Sequence, residues 1–250
     1  FDPMPLAAAS TAQVHAATLP GGESVVVKVR RPAIEVTVKS DLNIIQDALD
    51  MVERRLPWSQ RYGLSSLFRE FAVNILVELD YRNESYNARL LRHQMAGLPS
   101  VRVPVIYPEY STAAILTQER ISGVKISDTA ALDAAHIDRE ELAIRLFRVL
   151  LKQTLFNGFF HADPHPGNVW VDLDTGDIIF LDMGLMGHLA LIDRFALGEL
   201  IWSLQERDSQ AVTRVLARIC HSVNNDDPAA LEPEVERLIN ENLVLSDTPP

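Results

Sequence analysis

The sequence predicts an α+β fold in which a small, strand-bearing N-terminal part precedes a larger helical part. Two β-rich runs, residues 14–19 and 24–29, flank a Gly21-Gly22 pair, which is a signature of a β-hairpin. Beyond about residue 121, most apolar residues recur at helical spacing. Because strands cluster early and helices late, we expect two segregated layers rather than alternating strands and helices.

The individual elements follow from apolar spacing and from turn residues. Helices are predicted over residues 34–56 and 64–95, with Pro57 and Gly63 between them, and short strands over 101–106 and 113–120. A long helix is expected over residues 138–159, with Asp138 as its N-cap and Gly158 near its end. Strands over 169–172 and 178–181 flank a turn, and three helices between about 189 and 243 complete the chain.

Composition narrows the class of protein. The 250 residues are 47% hydrophobic and 23% charged, which excludes wholesale disorder. The formal net charge of −11 argues against a broad nucleic-acid interface, which needs a basic face. The single Cys220 cannot form an internal disulfide, so a reducing cytosol is expected, and no apolar run approaches the length that spans a bilayer. The start lacks both Met and a basic signal region, so we interpret the chain as a domain of a longer protein.

Three polar positions in the second half have the spacing of a phosphoryl-transfer centre. Asp163 and Asn168 lie in the loop HADPHPGN, and Asp182 follows the next strand pair in FLDMG. Phosphoryl transfer needs a carboxylate near the attacking hydroxyl, together with oxygen ligands for Mg²⁺. Asp163 is the candidate catalytic residue, and Asn168 and Asp182 are the candidate metal ligands. His161 precedes Asp163 by two residues, as in the His-Arg-Asp pattern of kinases.

The same chemistry requires a lysine on a strand and a carboxylate to pair with it. Lys28 ends the run Val-Val-Val-Lys, as in the Val-Ala-Ile-Lys strand of kinases. Glu78, Asp80 and Glu84 lie on one predicted helix, where positions 80 and 84 share a face and position 78 lies off it. One of the three should pair with Lys28. Taken singly, Lys28 also fits a solvent-exposed surface lysine, and the spacing of Asp163 and Asn168 also fits an ordinary turn. A metal site at His161 and His165 is a less favoured alternative. Their order along the chain favours a bilobal kinase-like fold.

Several motifs together resemble the UbiB or AarF-domain family of atypical kinases. The run AAASTAQVH at residues 7–15 is similar to the alanine-rich nucleotide loop of that family, and VVVKVRRP at 25–32 is similar to its lysine strand. Glu78-Leu-Asp80 followed by Glu84 is similar to its ExD segment, and HADPHPGN and Asp182 follow in family order. In Asp182-Met-Gly, Met183 stands where kinases usually carry Phe. The KxGQ helices, which precede the alanine-rich loop in the family, are absent from this sequence.

The resemblance implies one kinase-like domain, with an N-lobe over about 1–120 and a C-lobe over about 121–250, and a fragment that lacks the KxGQ segment. It implies an Mg²⁺-dependent ATP- or ADP-binding kinase or ATPase that supports isoprenoid-quinone or related lipid metabolism. The catalytic residues would be Lys28, Glu78, Asp80, Glu84 and Asp163. The nucleotide contacts would be Ala7, Ala8, Ala9, Ser10, Lys28, Glu119 and Ile121, where Glu119 and Ile121 lie in the hinge that meets adenine.

Two other functions stay open on the sequence. Aminoglycoside and choline kinases carry a similar catalytic loop, although the alanine-rich loop and the ExD segment argue against that class. A pseudokinase-like nucleotide sensor is the non-enzymatic alternative. The expected location is cytoplasmic, or peripheral at the cytoplasmic membrane, where a lipid or quinone precursor would be the partner. The acceptor and the oligomeric state are not fixed by these motifs.

Overall fold

An antiparallel sheet forms the N-terminal part of the chain. It is seen in a computed structural model that describes residues 1–8, 11–55, 63–220 and 228–243. The strand order is β1-β2-β3-β5, with bounds Pro5–Ala8 (β1), Ala12–Thr18 (β2), Ser24–Arg30 (β3) and Ile115–Glu119 (β5). The predicted hairpin is confirmed, and Gly22 adopts a φ of 94° in its turn, a conformation that favours glycine. Lys28 is registered opposite Val14 on one side and Leu116 on the other, which places it in the middle of the sheet.

Three helices follow β3, where the sequence predicts two. They are α1 (Ile34–Arg55), α2 (Leu64–Glu78) and α3 (Tyr81–Met95). The continuous helix predicted over residues 64–95 is wrong, because the chain breaks at Leu79 and Asp80. Asp80 has extended backbone and its carboxylate accepts the Arg82 N–H at 3.0 Å, so it caps a new helix. The Leu79 carbonyl accepts a hydrogen bond from Arg30 Nη1 at 2.6 Å, which holds the break against β3.

A second sheet has the order β4-β9-β8-β6. Its β4 strand is shorter than the predicted run over 101–106, because Pro104 has no N–H to continue the ladder. The predicted strand pair at residues 169–181 is confirmed as an antiparallel pair, and Phe180, Ile178 and Val169 are fully buried in the core. The bounds of these strands and the adjoining segments are Val101–Arg102 (β4), Pro108–Tyr110 (3₁₀), Val124–Lys125 (β6), Phe159–His161 (β7), Val169–Val171 (β8), Ile178–Phe180 (β9) and Met186–His188 (β10).

The long helix predicted over residues 138–159 is an α-helix that continues as a π-helix. A short helix α4 (Thr129–Ala134) precedes α5 (Arg139–Leu151), and the π-helical segment is Lys152–Asn157. The Asp138 carboxylate accepts the N–H groups of Glu140 and Glu141 at 2.9 and 3.1 Å, which confirms it as the cap. Gly158 ends the segment with a φ of 66°, as the sequence predicts for a helix end.

The chain divides into two compact units. The first comprises Phe1–Leu150 and Phe159–Gly187, and the second comprises Leu151–Gly158 and His188–Pro250. The second unit holds the three helices that the sequence predicts for its C-terminal part, and residues 221–227 lie outside the described residues. They are α6 (Leu191–Gln205), α7 (Ser209–Ile219) and α8 (Glu232–Asn242), with a 3₁₀ turn at Pro228–Leu231. The α+β class, with an N-terminal sheet region and a helical C-terminal part, is confirmed. The lobe boundary near residue 120 stays a prediction.

Candidate functional site

A buried ion pair joins β3 to α3 in the first unit. Lys28 Nζ lies 2.5 Å from Glu84 Oε1, and the two side chains are 14% and 5% exposed. The sequence narrows the partner of Lys28 to Glu78, Asp80 or Glu84, and the structure pairs it with Glu84. The break before Tyr81 explains this choice, since it resets the helix so that Glu84 faces the sheet while Arg82 faces solvent.

A second carboxylate lies close to the same ammonium group. Asp182 Oδ2 is 3.6 Å from Lys28 Nζ, and the Asp182 side chain is 48% exposed. Burial alone would lower the pKa of Lys28, but the charges of Glu84 and Asp182 and the hydrogen bond to Glu84 outweigh it, so the pKa lies above its usual value. Burial likewise opposes ionisation of Asp182, yet the Lys28 charge and the Gly184 N–H keep the Asp182 pKa below its usual value. Both groups therefore stay charged at neutral pH.

These charges open onto a cavity of about 360 Å³. Its walls combine the sheet, the α2–α3 break and the first turns of α1, and its polar groups are predominantly ionic. The lining residues are Thr11, Ala12, Val14, Lys28, Arg30, Val38, Ile75, Glu78, Leu79, Tyr81, Glu84 and Asp182. A cavity lined by an ammonium group and by apolar side chains suits an anionic ligand that also carries an apolar part.

Asp182 stands at a strained turn that follows β9. Its φ is 57°, a left-handed conformation uncommon for a residue other than glycine. The turn is held from two sides: the Gly184 N–H donates to Asp182 Oδ1 at 3.2 Å, and Asn87 Nδ2 on α3 donates to the Met183 carbonyl at 2.9 Å. The helix that carries Glu84 therefore also fixes the turn that carries Asp182.

His161 connects this turn to the loop of Asp163. The imidazole Nε2 lies 3.0 Å from the Leu181 carbonyl, and the Asp163 N–H donates to Nδ1 at 3.2 Å. A carbonyl can only accept, so Nε2 carries the proton and the ring is neutral. Burial lowers the His161 pKa, which keeps that form. His161 matches the kinase histidine in its spacing from Asp163 but is not among the predicted site residues, although it positions both Asp163 and Asp182.

The loop that follows β7 leaves its acidic side chain open to solvent. Asp163 Oδ2 lies 3.7 Å from His165 Nε2, and both side chains are about half exposed. Asn168 Nδ2 donates to the Asp163 carbonyl at 3.2 Å, and the Asn168 carbonyl accepts the Leu181 N–H at 2.8 Å. The loop is thus tied by Asn168 to the strand that leads into Asp182.

Glu78 and Asp80 occupy different surroundings. Glu78 ends α2 and lines the Lys28 cavity, and burial, followed by the charge of Asp182, raises its pKa. Asp80 instead binds the Arg82 guanidinium, with 2.6 Å between Oδ2 and Nη2, and caps α3. Asp80 therefore shapes the break between the helices.

The predicted nucleotide contacts are distributed over two places. Ala7 and Ala8 are exposed in β1, registered against Val14 and Gln13, so residues 5–8 form a strand. Ala9 and Ser10 lie outside the described residues. Glu119 ends β5, and its carboxylate accepts from Arg102 Nη2 and from the Val105 N–H, both at 3.1 Å.

The Glu119 side chain lines a different cavity from that of Lys28, one of about 330 Å³. Ile121 follows in the half-buried segment after β5. Only backbone groups of this segment are therefore suited to the adenine contact that the resemblance implies, because the Glu119 carboxylate is already bound.

Among the described residues, no group of three or more His, Cys, Asp or Glu side chains could hold a metal ion alone. Mg²⁺ commonly takes only one or two protein carboxylates, together with waters and substrate phosphates. The half-exposed Asp182 carboxylate fits that role. Asn168 fits as well, because its Nδ2 is bound to the Asp163 carbonyl and its amide oxygen is the atom left for a ligand.

The chain belongs to the ABC1 atypical kinase-like family. The model of that domain matches residues 1–216, which include every element of the site described above. The family resemblance that the motifs indicate is thereby confirmed.

Two curated relatives that bear kinase names are considerably longer than this chain. The Arabidopsis thaliana chloroplastic protein Activity of BC1 complex kinase 7 is 39% identical over 219 residues, which cover 86% of this chain and 31% of that protein. A probable protein kinase UbiB from Xylella fastidiosa is 36% identical over 220 residues, 86% of this chain and 40% of the relative. The chain therefore spans about two fifths or less of their length.

A solved structure shares the fold. The complex of Rv3197 with erythromycin from Mycobacterium tuberculosis matches with a TM-score of 0.68 and 23% sequence identity, over 100% of this chain and 66% of that one. No helix within the described ranges is long and apolar enough to cross a membrane.

Proposed function

We propose that the Lys28 cavity binds a nucleoside triphosphate with Mg²⁺, and that the chain transfers its terminal phosphoryl group to an acceptor hydroxyl or to water. The observation that carries this proposal is the buried Lys28–Glu84 ion pair with Asp182 3.6 Å from the same ammonium group. A lysine paired to a helix carboxylate and an aspartate that binds metal are the two fixed charges that kinase chemistry needs.

Lys28 is the proposed phosphate contact. Its ammonium group faces a cavity and remains protonated at neutral pH, because Glu84 and Asp182 hold its pKa above the usual value. Glu84 acts as a positioning residue, since it fixes the lysine side chain from a site where it is itself almost fully buried. The exposed strand β1 with Ala7 and Ala8, and the backbone after Glu119, are the proposed walls for the rest of the nucleotide.

Asp182 and Asn168 are the proposed Mg²⁺ ligands, and the ion would neutralise charge on the phosphates. Asp182 suits this role because it stays ionised and half exposed, and its turn is fixed by Asn87 and Gly184. Glu78 adds a further carboxylate to the lining of the Lys28 cavity, and its pKa is raised by burial and then by the charge of Asp182.

Asp163 is the proposed general base. As the acceptor oxygen bonds to the γ-phosphorus, its proton passes to the Asp163 carboxylate, and the bond from that phosphorus to the bridging oxygen breaks to leave the nucleoside diphosphate. The half-exposed Asp163 side chain is accessible to an acceptor from solvent. His161 orients the Asp163 backbone through its hydrogen bond from the Asp163 N–H.

The proposed acceptor class rests on the family resemblance. The resemblance to UbiB-type kinases supports a role in isoprenoid-quinone or related lipid metabolism, with a lipid or quinone precursor as partner at a membrane surface. Water is the alternative acceptor, which would make the chain an ATPase. A nucleotide sensor without turnover would use the same cavity.

Turnover of ATP by Asp163→Asn tests the proposal. With Mg²⁺ present, ADP release should fall at least about 100-fold relative to wild type, because proton abstraction by a positioned base contributes roughly that factor. ATP-dependent stabilisation in a thermal melt should persist, since Asp163 does not line the Lys28 cavity.

Asp174→Asn is the matched control, because Asp174 is an exposed aspartate in the turn between β8 and β9. It should leave ADP release unchanged. Equal ADP release from wild type and Asp163→Asn would contradict the catalytic role. ATP binding without any turnover in wild type would replace the kinase assignment with nucleotide sensing.

A further inference from the structure

We propose that the outer face of α3 carries a binding site for a phosphate monoester, separate from the Lys28 cavity. The site is a recess of about 150 Å³ between α3 and the turn after β4. Its lining residues are Arg82, Ser85, Tyr86, Arg89, Pro108, Ser111 and Thr112. The proposal does not depend on the function proposed above, since the two cavities share no residue.

The charge of this face is opposite to that of the whole molecule. The chain has a net charge of −11, yet the exposed side chains of α3 include three arginines and no carboxylate. They are Arg82, Tyr86, Arg89, Arg92 and His93. Glu84, the acidic residue of this helix, is buried on the other face against Lys28. A local positive potential is therefore available to an anion at this face.

The two arginines at the recess differ in availability. Arg82 already binds Asp80 through Nε and Nη2, so its charge is partly offset. Within the part of the chain that the structure describes, the Arg89 side chain forms no hydrogen bond or ion pair. Residues 82 and 89 are two turns apart and lie on one side of the helix, so both guanidinium groups border the recess. Arginine is the preferred side chain for bidentate binding of phosphate.

The opposite wall supplies a hydroxyl donor in a fixed position. Thr112 Oγ1 accepts the N–H groups of Ala114 and Ile115, both at 3.2 Å, which leaves its own proton free to donate to an anion. Ser111 Oγ donates to the Tyr107 carbonyl at 2.8 Å and accepts the Thr117 N–H at 3.0 Å, so the turn is held by β5. Glu109 lies on this turn but does not line the recess.

Tyr86 indicates what the phosphate is attached to. Its side chain is 63% exposed and stands between the two arginines on the helix surface. An exposed aromatic ring beside two guanidinium groups suits a phosphate monoester whose remaining part is apolar or aromatic. Such a group occurs both in soluble metabolites and in the headgroup of phosphatidic acid.

Calorimetric titration with phenyl phosphate at low ionic strength tests the site. Wild type should bind it saturably. Arg89→Ala should raise the dissociation constant at least about 10-fold, because a charge-assisted bidentate contact is lost. Arg89→Lys should retain part of the affinity. Binding should weaken as salt is raised, since the arginines are exposed.

Arg148→Ala is the matched control, since Arg148 is an exposed helical arginine that lies outside the recess. It should bind like wild type. No saturable binding by wild type, or equal affinity in wild type and Arg89→Ala, overturns the proposal; the latter result would assign the ligand to another cavity. Vesicles of phosphatidylcholine with and without phosphatidic acid identify the source. If wild type binds phenyl phosphate and also binds the vesicles with phosphatidic acid through Arg89, the ligand is the lipid headgroup. If wild type binds phenyl phosphate but neither kind of vesicle, the ligand is a soluble monoester.

Discussion

The two halves of the proposed site are held in place by different forces. On the Lys28 side, a buried ion pair at 2.5 Å fixes the functional group. On the Asp163 side, the carboxylate is about half exposed, and it is the backbone around it that is fixed, through His161 and Asn168. One half is therefore organised by desolvated charge and the other by hydrogen bonds to main-chain groups.

This difference has a consequence for how each half tolerates change. A buried charge that loses its partner retains the full cost of its desolvation, whereas an exposed carboxylate that is removed costs little folding energy. Substitutions on the Lys28 side should therefore affect stability and binding together. Substitutions of Asp163 should affect turnover alone.

Lys28→Met should have the largest effect on stability. It leaves Glu84, which is 4% exposed, without its counter-charge. Breaking a buried pair from one side costs about 3–5 kcal/mol, and we expect a loss near the lower end because Glu84 can take up a proton. Urea unfolding at pH 7 measures this loss.

The double variant Lys28→Met/Glu84→Gln provides the comparison. Removal of both charges should recover at least half of the lost stability, because no uncompensated buried charge remains. Stabilisation by nucleotide should be absent from both the single and the double variant, because both lack the Lys28 ammonium group. If the single and double variants are equally unstable, the ion pair is not what organises this half of the site.

Local sequence signals predict the strands and the order of the candidate residues, but not the contacts between them. The hairpin, the lysine strand and the order of Asp163, Asn168 and Asp182 follow from local signals that need no tertiary information. The partner of Lys28 does not, because helical periodicity cannot show that α2 ends at Glu78. That break depends on the hydrogen bond from Arg30 to the Leu79 carbonyl, whose residues are 49 positions apart.

The role of His161 also depends on a contact that is distant in sequence. Its importance arises from the Leu181 carbonyl, 20 residues further along the chain, and a lone histidine in a strand gives no sign of that partner. The left-handed backbone of Asp182 is also imposed by surrounding contacts, since aspartate has no local preference strong enough to require it.

His161→Phe should have an intermediate effect. It leaves the Leu181 carbonyl and the Asp163 N–H without their partner, which costs about 2 kcal/mol for buried groups, and ADP release should fall as the loop loosens. The wild-type His161 pKa is lowered by burial, so the unfolded chain binds this proton more readily. His161 therefore contributes stability above about pH 6.5, and that contribution is lost as the pH falls through and below this value.

Urea unfolding of wild type and His161→Phe at pH 7.5 and 5.5 measures both effects. The gap between the two proteins should narrow at pH 5.5, because only wild type must protonate a buried imidazole. His93→Phe is the control for the loss of an imidazole as such, since His93 is exposed on α3. A gap that is equal at the two pH values would contradict a neutral, buried His161.

Glu78→Gln should have the smallest effect, and of opposite sign. Burial and the nearby Asp182 raise the Glu78 pKa, so the folded state binds this proton more tightly than the unfolded chain does. As the pH rises from below the unfolded value of about 4.3 and passes the raised pKa, ionisation of Glu78 lowers the free energy of unfolding. The amide removes that cost, and the melting temperature at pH 7 should rise by about 1–3 °C, a modest gain because the side chain is partly solvated. At pH 4 the difference should shrink, since wild type is then protonated at Glu78.

Glu70→Gln, on the exposed surface of the same helix, is the control and should leave the melting temperature unchanged at both pH values. A lower melting temperature for Glu78→Gln at pH 7 would show that Glu78 is held by Lys28 rather than repelled by Asp182, and would place a second stabilising carboxylate on the lysine side of the site.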